Sequence, residues 1–252
     1  MSGHSKWASI KHKKGALDAK RGKTFSKIIR ELVTAAKAGG DPNSNARLRT
    51  VIDKAKAVNM PQENIKRAIQ KGTGELAGTS YSDVTYEGYG SGGVAIIIEG
   101  NTDNKNRTAA EMRAIFSKNG GNMGESGSVA WMFEKKGLIV VPASAISEED
   151  LMMLVMDAGA DDLKNEGDKY EVITSIESFE KVKKALEEKK ITAEDAEIRY
   201  LPKTLADADS QTARKVLRLM EALEEHDDVQ NVYANFDIPD DVMKEMQEEN
   251  EK

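Results

Sequence analysis

Gly72-Thr73-Gly74-Glu75-Leu76-Ala77-Gly78-Thr79-Ser80 is where the repeat of apolar residues changes from a helical period to a strand-like one, and this stretch decides the fold. On its N-terminal side, Phe25, Ile28, Ile29, Leu32, Val33 and Ala36 form one stripe of an amphipathic helix. Gly39-Gly40-Asp41-Pro42 ends that helix, since glycine accepts a left-handed cap and proline cannot continue the hydrogen-bond ladder. A second stripe, Leu48, Val51, Ile52, Ala55 and Val58, follows with Asn43 or Ser44 available as N-cap. Pro61 suits the first turn of a third helix carrying Ile65, Ala68 and Ile69, which Gly72 stops. The expectation is a small three-helix bundle over about 23–72 with basic outward faces. After Met1, residues 2–22 hold Trp7, Ile10 and Leu17 as their only large apolar side chains, which reads as a basic arm that orders on meeting a partner.

On the C-terminal side, 84–87 and 94–99 read as strands, joined by Gly88-Tyr89-Gly90-Ser91-Gly92-Gly93. A helix follows over 104–117, then strands at 129–134 and 137–141 and a helix capped by Ser147. Strand 170–176, helix 178–188 and strand 197–201 complete two β–α–β units. These require one more strand between Gly159 and Asp168, where the pattern is faint. A helix bearing Val216, Leu217, Met220 and Leu223 leads to a last strand at 229–236, and 240–252 is an acidic tail.

Composition narrows the function. The 252 residues are 39% hydrophobic and 32% charged, which fits a soluble globular protein of two or three domains. The chain has no cysteine, which excludes disulfides, thiol nucleophiles, cysteine-type zinc sites and iron–sulfur clusters. Its longest apolar run, 151–156, is far short of the roughly 20 residues a bilayer span needs. No secretory signal is legible, so a cytoplasmic protein is expected. The net charge of −6 conceals an asymmetry: residues 1–75 hold 17 Lys/Arg against 6 Asp/Glu, a balance of +11, and the remainder carries −17. Within 6–30 the only acidic residue is Asp18. Such a segregated basic end on an acidic body points to a polyanion, here nucleic acid.

Gly88-x-Gly90-x-x-Gly93 matches the dinucleotide fingerprint by letter. It is followed by Val94-Ala95-Ile96-Ile97-Ile98, a strand rather than the helix that must receive a pyrophosphate, so a glycine-rich hairpin is the reading. His4, His12 and His226 are too few and scattered for a zinc site, and no catalytic constellation of Ser, His and carboxylates can be assembled. No cofactor, metal or catalytic residue is therefore expected. Met152, Met153 and Met156 read as core or partner groove. Asp103-Asn104-Lys105-Asn106-Arg107-Thr108 opens a helix. Asn104, Asn106 and Arg107 form either an anion or partner site at its N-terminus or an ordinary cap with Arg107 paired to Glu111. The four glycines of 120–128 indicate close backbone contact or a mobile binding loop.

Read together, several motifs resemble the YebC/PmpR family, which includes the mitochondrial translational activator of cytochrome oxidase subunit I. They are Gly3-His4-Ser5-Lys6-Trp7-Ala8-Ser9-Ile10-Lys11-His12-Lys13-Lys14, Asp18-Ala19-Lys20-Arg21-Gly22-Lys23, Asn59-Met60-Pro61, Arg67-Ala68-Ile69, Tyr86-Glu87-Gly88-Tyr89-Gly90, Thr102-Asp103-Asn104 and Ser117-Lys118-Asn119-Gly120-Gly121-Asn122. The resemblance spans about 1–240. One departure is Ser91, where the family usually has proline in the hairpin turn. The resemblance implies an α+β protein: an N-terminal three-helix domain plus two ferredoxin-like α/β domains, the third inserted into the second. The boundaries would be 1–77, then 78–134 with 205–240, and 135–204, with the acidic tail at 241–252. It implies a non-enzymatic regulator of gene expression, acting as a DNA-binding transcriptional regulator or as a ribosome- or RNA-binding translation factor that assists proline-containing stretches. The candidate nucleic-acid contacts are Lys6, Trp7, Lys11, His12, Lys13, Lys14, Lys20, Arg21, Lys23, Lys27, Arg30, Arg47 and Arg49. DNA, ribosomal RNA or transfer RNA is the expected partner, with no membrane, and a monomer is the expected state.

Overall fold

A computed structural model describes residues 18–239 with 241, 242 and 244, and side chains from residue 22 onward. The first helix, α1 (Asp18–Ala36), begins earlier than its apolar stripe. The short α2 (Ala46–Ala57) is capped by Asn45, one residue beyond the expected cap. The Asn45 side chain accepts from the Leu48 N–H (3.0 Å) and donates to the carbonyls of Ala35 and Gly39, tying the start of α2 to the end of α1. Next comes α3 (Gln62–Thr73), which ends on Gly74 at φ 83°, a left-handed cap that glycine adopts without strain. Gly72 is a contact surface: a Cβ there would lie 2.4 Å from the Val33 carbonyl oxygen and 2.6 Å from Ala36 Cβ. The α1–α3 crossing is therefore as close as backbones allow. Ile28, Leu32, Val33, Leu48, Val51, Ile65 and Ala68 fill the bundle core.

Beyond the switch point, β1 (Ser82–Tyr89) and β2 (Ala95–Thr102) form an antiparallel hairpin through a short 3-10 turn at Ser91–Gly93. The apparent dinucleotide fingerprint is this turn. Then come α4 (Lys105–Lys118) and the two-residue β3 (Asn122–Met123); much later come α7 (Ser210–Glu224) and β8 (Val229–Ala234). The four strands make one antiparallel sheet, ordered β3-β1-β2-β8. Val216, Leu219, Met220 and Leu223 of α7 and Met112 and Phe116 of α4 pack on it.

Between β3 and α7 the chain builds a second sheet from β4 (Phe133–Pro142), β5 (Ala160–Asn165), β6 (Lys169–Thr174) and β7 (Asp195–Pro202), ordered β5-β6-β4-β7 and antiparallel throughout. With α5 (Glu148–Asp157) and α6 (Phe179–Glu188) as crossovers, this is the split βαβ topology. The first sheet has the same spatial order, but its inner strand β1 comes ahead of the others in the chain. The protein is thus α+β, with a helical N-terminal region and two ferredoxin-like sheets, the second inserted into the first. The chain divides into two compact units: one holds Trp131–Leu205, and the other is made of the segments on either side.

Two local expectations change and one is met. Segments 129–134 and 137–141, read as two strands, are a 3-10 turn at Ala130–Met132 followed by the single long β4. The faint strand between Gly159 and Asp168 is β5, an edge strand in which only Ala160 and Leu163 are buried. The methionine-rich helix α5 buries Leu151 and Val155, whereas Met152, Met153 and Met156 are exposed.

Candidate nucleic-acid interface

The arm residues Lys6, Trp7, Lys11, His12, Lys13 and Lys14, and the side chains of Lys20 and Arg21, lie outside the described residues. Lys23 is half-buried on α1. The remaining candidates have their cationic heads turned onto protein acceptors. Lys27 donates to the Glu224 carbonyl at 2.7 Å, and Arg30 donates to the Asp227 carbonyl and to the Asp228 carboxylate at 2.9 Å. Arg47 forms a two-pronged pair with Asp83, at 2.7 and 2.8 Å, and Arg49 donates to the Pro42 carbonyl at 3.0 Å. Asn101, on β2, also donates to Asp83 at 2.6 Å. Lys27, Arg30 and Arg47 therefore hold the helical region against the first sheet.

Asp228 is the centre of that contact. Gly100 makes room for it: a Cβ there would lie 2.5 Å from the Asp228 carbonyl oxygen, which instead accepts from the Asn101 N–H at 2.8 Å. The buried carboxylate, 4% exposed, takes hydrogen bonds from Arg107 (2.6 Å), Thr108 (2.7 Å) and Arg30 (2.9 Å). Burial alone would push this carboxyl up. The hydroxyl and guanidinium donors of Thr108, Arg107 and Thr102, with the charge of Arg30, outweigh that and hold it below its ordinary value.

The helix start at Asn104–Arg107 is built as a cap. Asn104 accepts from the Arg107 N–H at 3.1 Å, and the Arg107 guanidinium faces Asp103 (3.0 Å), Glu111 (3.7 Å) and Asp228. Three carboxylates around one guanidinium leave little attraction for an outside anion; Asn106 is exposed beside them. Glu111, His226 and Asp228 bring ligand-type atoms within 4.8 Å of one another. The donor set does not suit a cation. The Asp228 N–H donates to His226 Nδ1 at 3.1 Å, which leaves the proton on Nε2 to face Glu111 at 2.8 Å, and two guanidinium groups already occupy Asp228.

The loop over 120–128 is held by close backbone contact. The buried Glu87 carboxylate accepts from the N–H groups of Gly127, Val129 and Ala130 at 2.7–2.8 Å. Burial raises this carboxyl, and the three amides more than reverse the effect, leaving it lowered.

Basic outward faces were expected of the bundle, but the candidate contacts left out three cations on the outer face of α3. Lys66, Arg67 and Lys71 are exposed there, and among the described residues none has a protein hydrogen-bond or ion-pair partner. The signal was present, since these cations alternate with the inward Ile65, Ala68 and Ile69. Between α2 and α3 lies an open cleft of about 550 Å³ with Ile52, Ile65 and Ile69 along it and Lys56, Lys66, Gln62 and Gln70 around it.

Comparison with known proteins agrees with this architecture. Residues 5–75 match the family model described as the TACO1/YebC protein N-terminal domain, and residues 81–236 match the TACO1/YebC second and third domain. A protein of Acidobacterium capsulatum named "Probable transcriptional regulatory protein" is 57% identical over 94% of this chain and 97% of its own length. One of Syntrophobacter fumaroxidans with the same name is 56% identical over 96% and 98%. The crystal structure of a conserved hypothetical protein from Aquifex aeolicus, 48% identical, superposes with a TM-score of 0.80 over 88% of this chain and 92% of that one.

Proposed function

Because the chain belongs to the TACO1/YebC family, we propose that it is a non-enzymatic, DNA-binding regulator of transcription. The observation that carries this reading is the segregation of charge: +11 over residues 1–75 against −17 over the rest. The names of the relatives support a regulatory role. In this reading Lys6, Lys11, Lys13, Lys14, Lys20, Arg21 and Lys23 neutralise phosphates, and Trp7 and His12 stack on or bond to what lies beside them. Lys66, Arg67 and Lys71 extend the same field along α3. Lys27, Arg30, Arg47 and Arg49 add to the potential while their heads fix the helices, and Asn104 with Arg107 braces that junction rather than meeting a ligand. Domains at 1–77, at 78–134 with 205–240, and at 135–204 divide the labour: the first binds, and the acidic pair adds no affinity for phosphate.

Deleting residues 1–17 from the full chain tests this directly. Affinity for a mixed-sequence duplex, read by fluorescence anisotropy in fixed salt, should fall at least tenfold. Undiminished binding by the deletion variant, or binding of ribosomes with no affinity for duplex DNA, would overturn it.

A further inference from the structure

We infer that the cleft between α2 and α3 receives a single unstacked nucleobase that carries an exocyclic amino group, from a single-stranded stretch of nucleic acid; this rests on the nucleic-acid reading above. The cleft volume, about 550 Å³, falls in the range of roughly 300–1,000 Å³ typical of small-molecule sites. Its ends differ in charge. Lys56, in the last turn of α2, stands at one end with Gln62 and Lys66 of the first two turns of α3. Asp41 and Glu75 stand at the other, where Gly40 packs so closely on Thr73 and Ile69 that a Cβ would lie 2.8 Å from Thr73 Cγ2. Gln62 and Gln70 are eight residues apart, about 12 Å along a helix, the scale of one nucleotide from phosphate to far base edge.

Each feature suits one part of that ligand. Ile52 and Ile69, half-buried above the core residue Ile65, offer an apolar surface for a base face, as in single-strand recognition by stacking. The cationic end suits the phosphate. Carboxylates at the opposite end accept from an exocyclic amine, as Asp and Glu do from cytosine N4. Among the described residues the amides of Gln62 and Gln70 have no hydrogen-bond partner, and each offers a donor and an acceptor to a base edge. An aliphatic peptide side chain would fill the floor but leave the amides of Gln62 and Gln70 unused, while at the ends Asp41 accepts from Asn43, Glu75 accepts from Thr73 and Lys56 lies 3.8 Å from Asp53, each with room for a further partner.

The test uses the full chain with isotopically labelled isoleucine δ1 methyls. The probes are uridine or thymidine hexamers with adenosine at one central position, made as RNA and as DNA, an abasic control for each, and a blunt duplex. The adenosine hexamers should move the Ile52, Ile65 and Ile69 methyl resonances by ring current, and the abasic strands should not. Gln62→Ala with Gln70→Ala should weaken hexamer binding about tenfold while leaving duplex binding unchanged. The RNA and DNA arms show which backbone the site prefers. If hexamers and duplex bind but these methyls stay still, the inference fails and the nucleic-acid reading stands. If nothing binds, both fail. Methyl shifts that grow with protein concentration alone would mean a second copy occupies the cleft, which also overturns it.

Discussion

At the scale of single residues, Asp228 shows how little of a site a local pattern can reveal. Its partners Arg30, Arg107 and Thr108 are distant in sequence, and only the folded sheet brings them together. The cap over 104–107 was legible from its residue types; that Arg107 would turn to Asp228 was not. Arg107→Ala should therefore lower stability by about 1–3 kcal/mol, a shift of several degrees in Tm, with DNA affinity nearly unchanged. Unchanged Tm with weakened binding would restore the anion site. The carboxyl of Asp228 is held below its ordinary 3.8, so the folded state gains from its ionised form. That stabilisation is complete above the unfolded value and is lost as pH falls below it through the folded one. Thermal unfolding between about pH 5 and 2 should show a steep acid limb in the parent and a shallower one in Asp228→Asn, which is also less stable at neutral pH. Equal acid limbs would show that Asp228 is not the group responsible.

At the scale of elements, long periodic segments were readable and short or one-sided ones were not. The apolar stripes of α1, α2 and α7 name their own buried faces. The edge strand β5 buries too little to show a period, since Asp161, Asp162, Lys164 and Asn165 are exposed. The two residues of β3 carry no pattern at all. Gly72 was read as a helix stop, yet its place on Val33 and Ala36 makes it a packing residue inside α3. Gly72→Ala should cost about 1–3 kcal/mol, because the nearest neighbour is backbone that cannot swing away; a Tm equal to the parent's would show that the helices part freely. The coil at 74–80 is exposed, as expected of the switch between periods. Lys37 nevertheless holds Ser80, and Arg30 and Arg47 reach across to Asp228 and Asp83. A protease should cut within 74–80 and leave two fragments that migrate together on a native gel. Fragments that separate at once would show that these ion pairs contribute nothing.

At the scale of the whole molecule, charge organises the account. The helical start, the split βαβ count and the basic end were legible in the sequence because each is a sum over many residues; the insertion of one ferredoxin-like domain into the other came from the family resemblance. Which cations serve the structure and which face solvent was not, because that depends on long-range docking. Among the described residues no helix is long and apolar enough to cross a membrane. The most direct test is the salt dependence of duplex-DNA affinity. Each phosphate neutralised adds about −0.9 to the log–log slope, so roughly five contacts from the arm predict a slope near −4 to −5. Replacing Lys11, Lys13 and Lys14 together by alanine should flatten it by about 2–3 units without changing Tm. A triple variant that binds DNA as tightly as the parent at every salt concentration, with the same slope, would contradict the account.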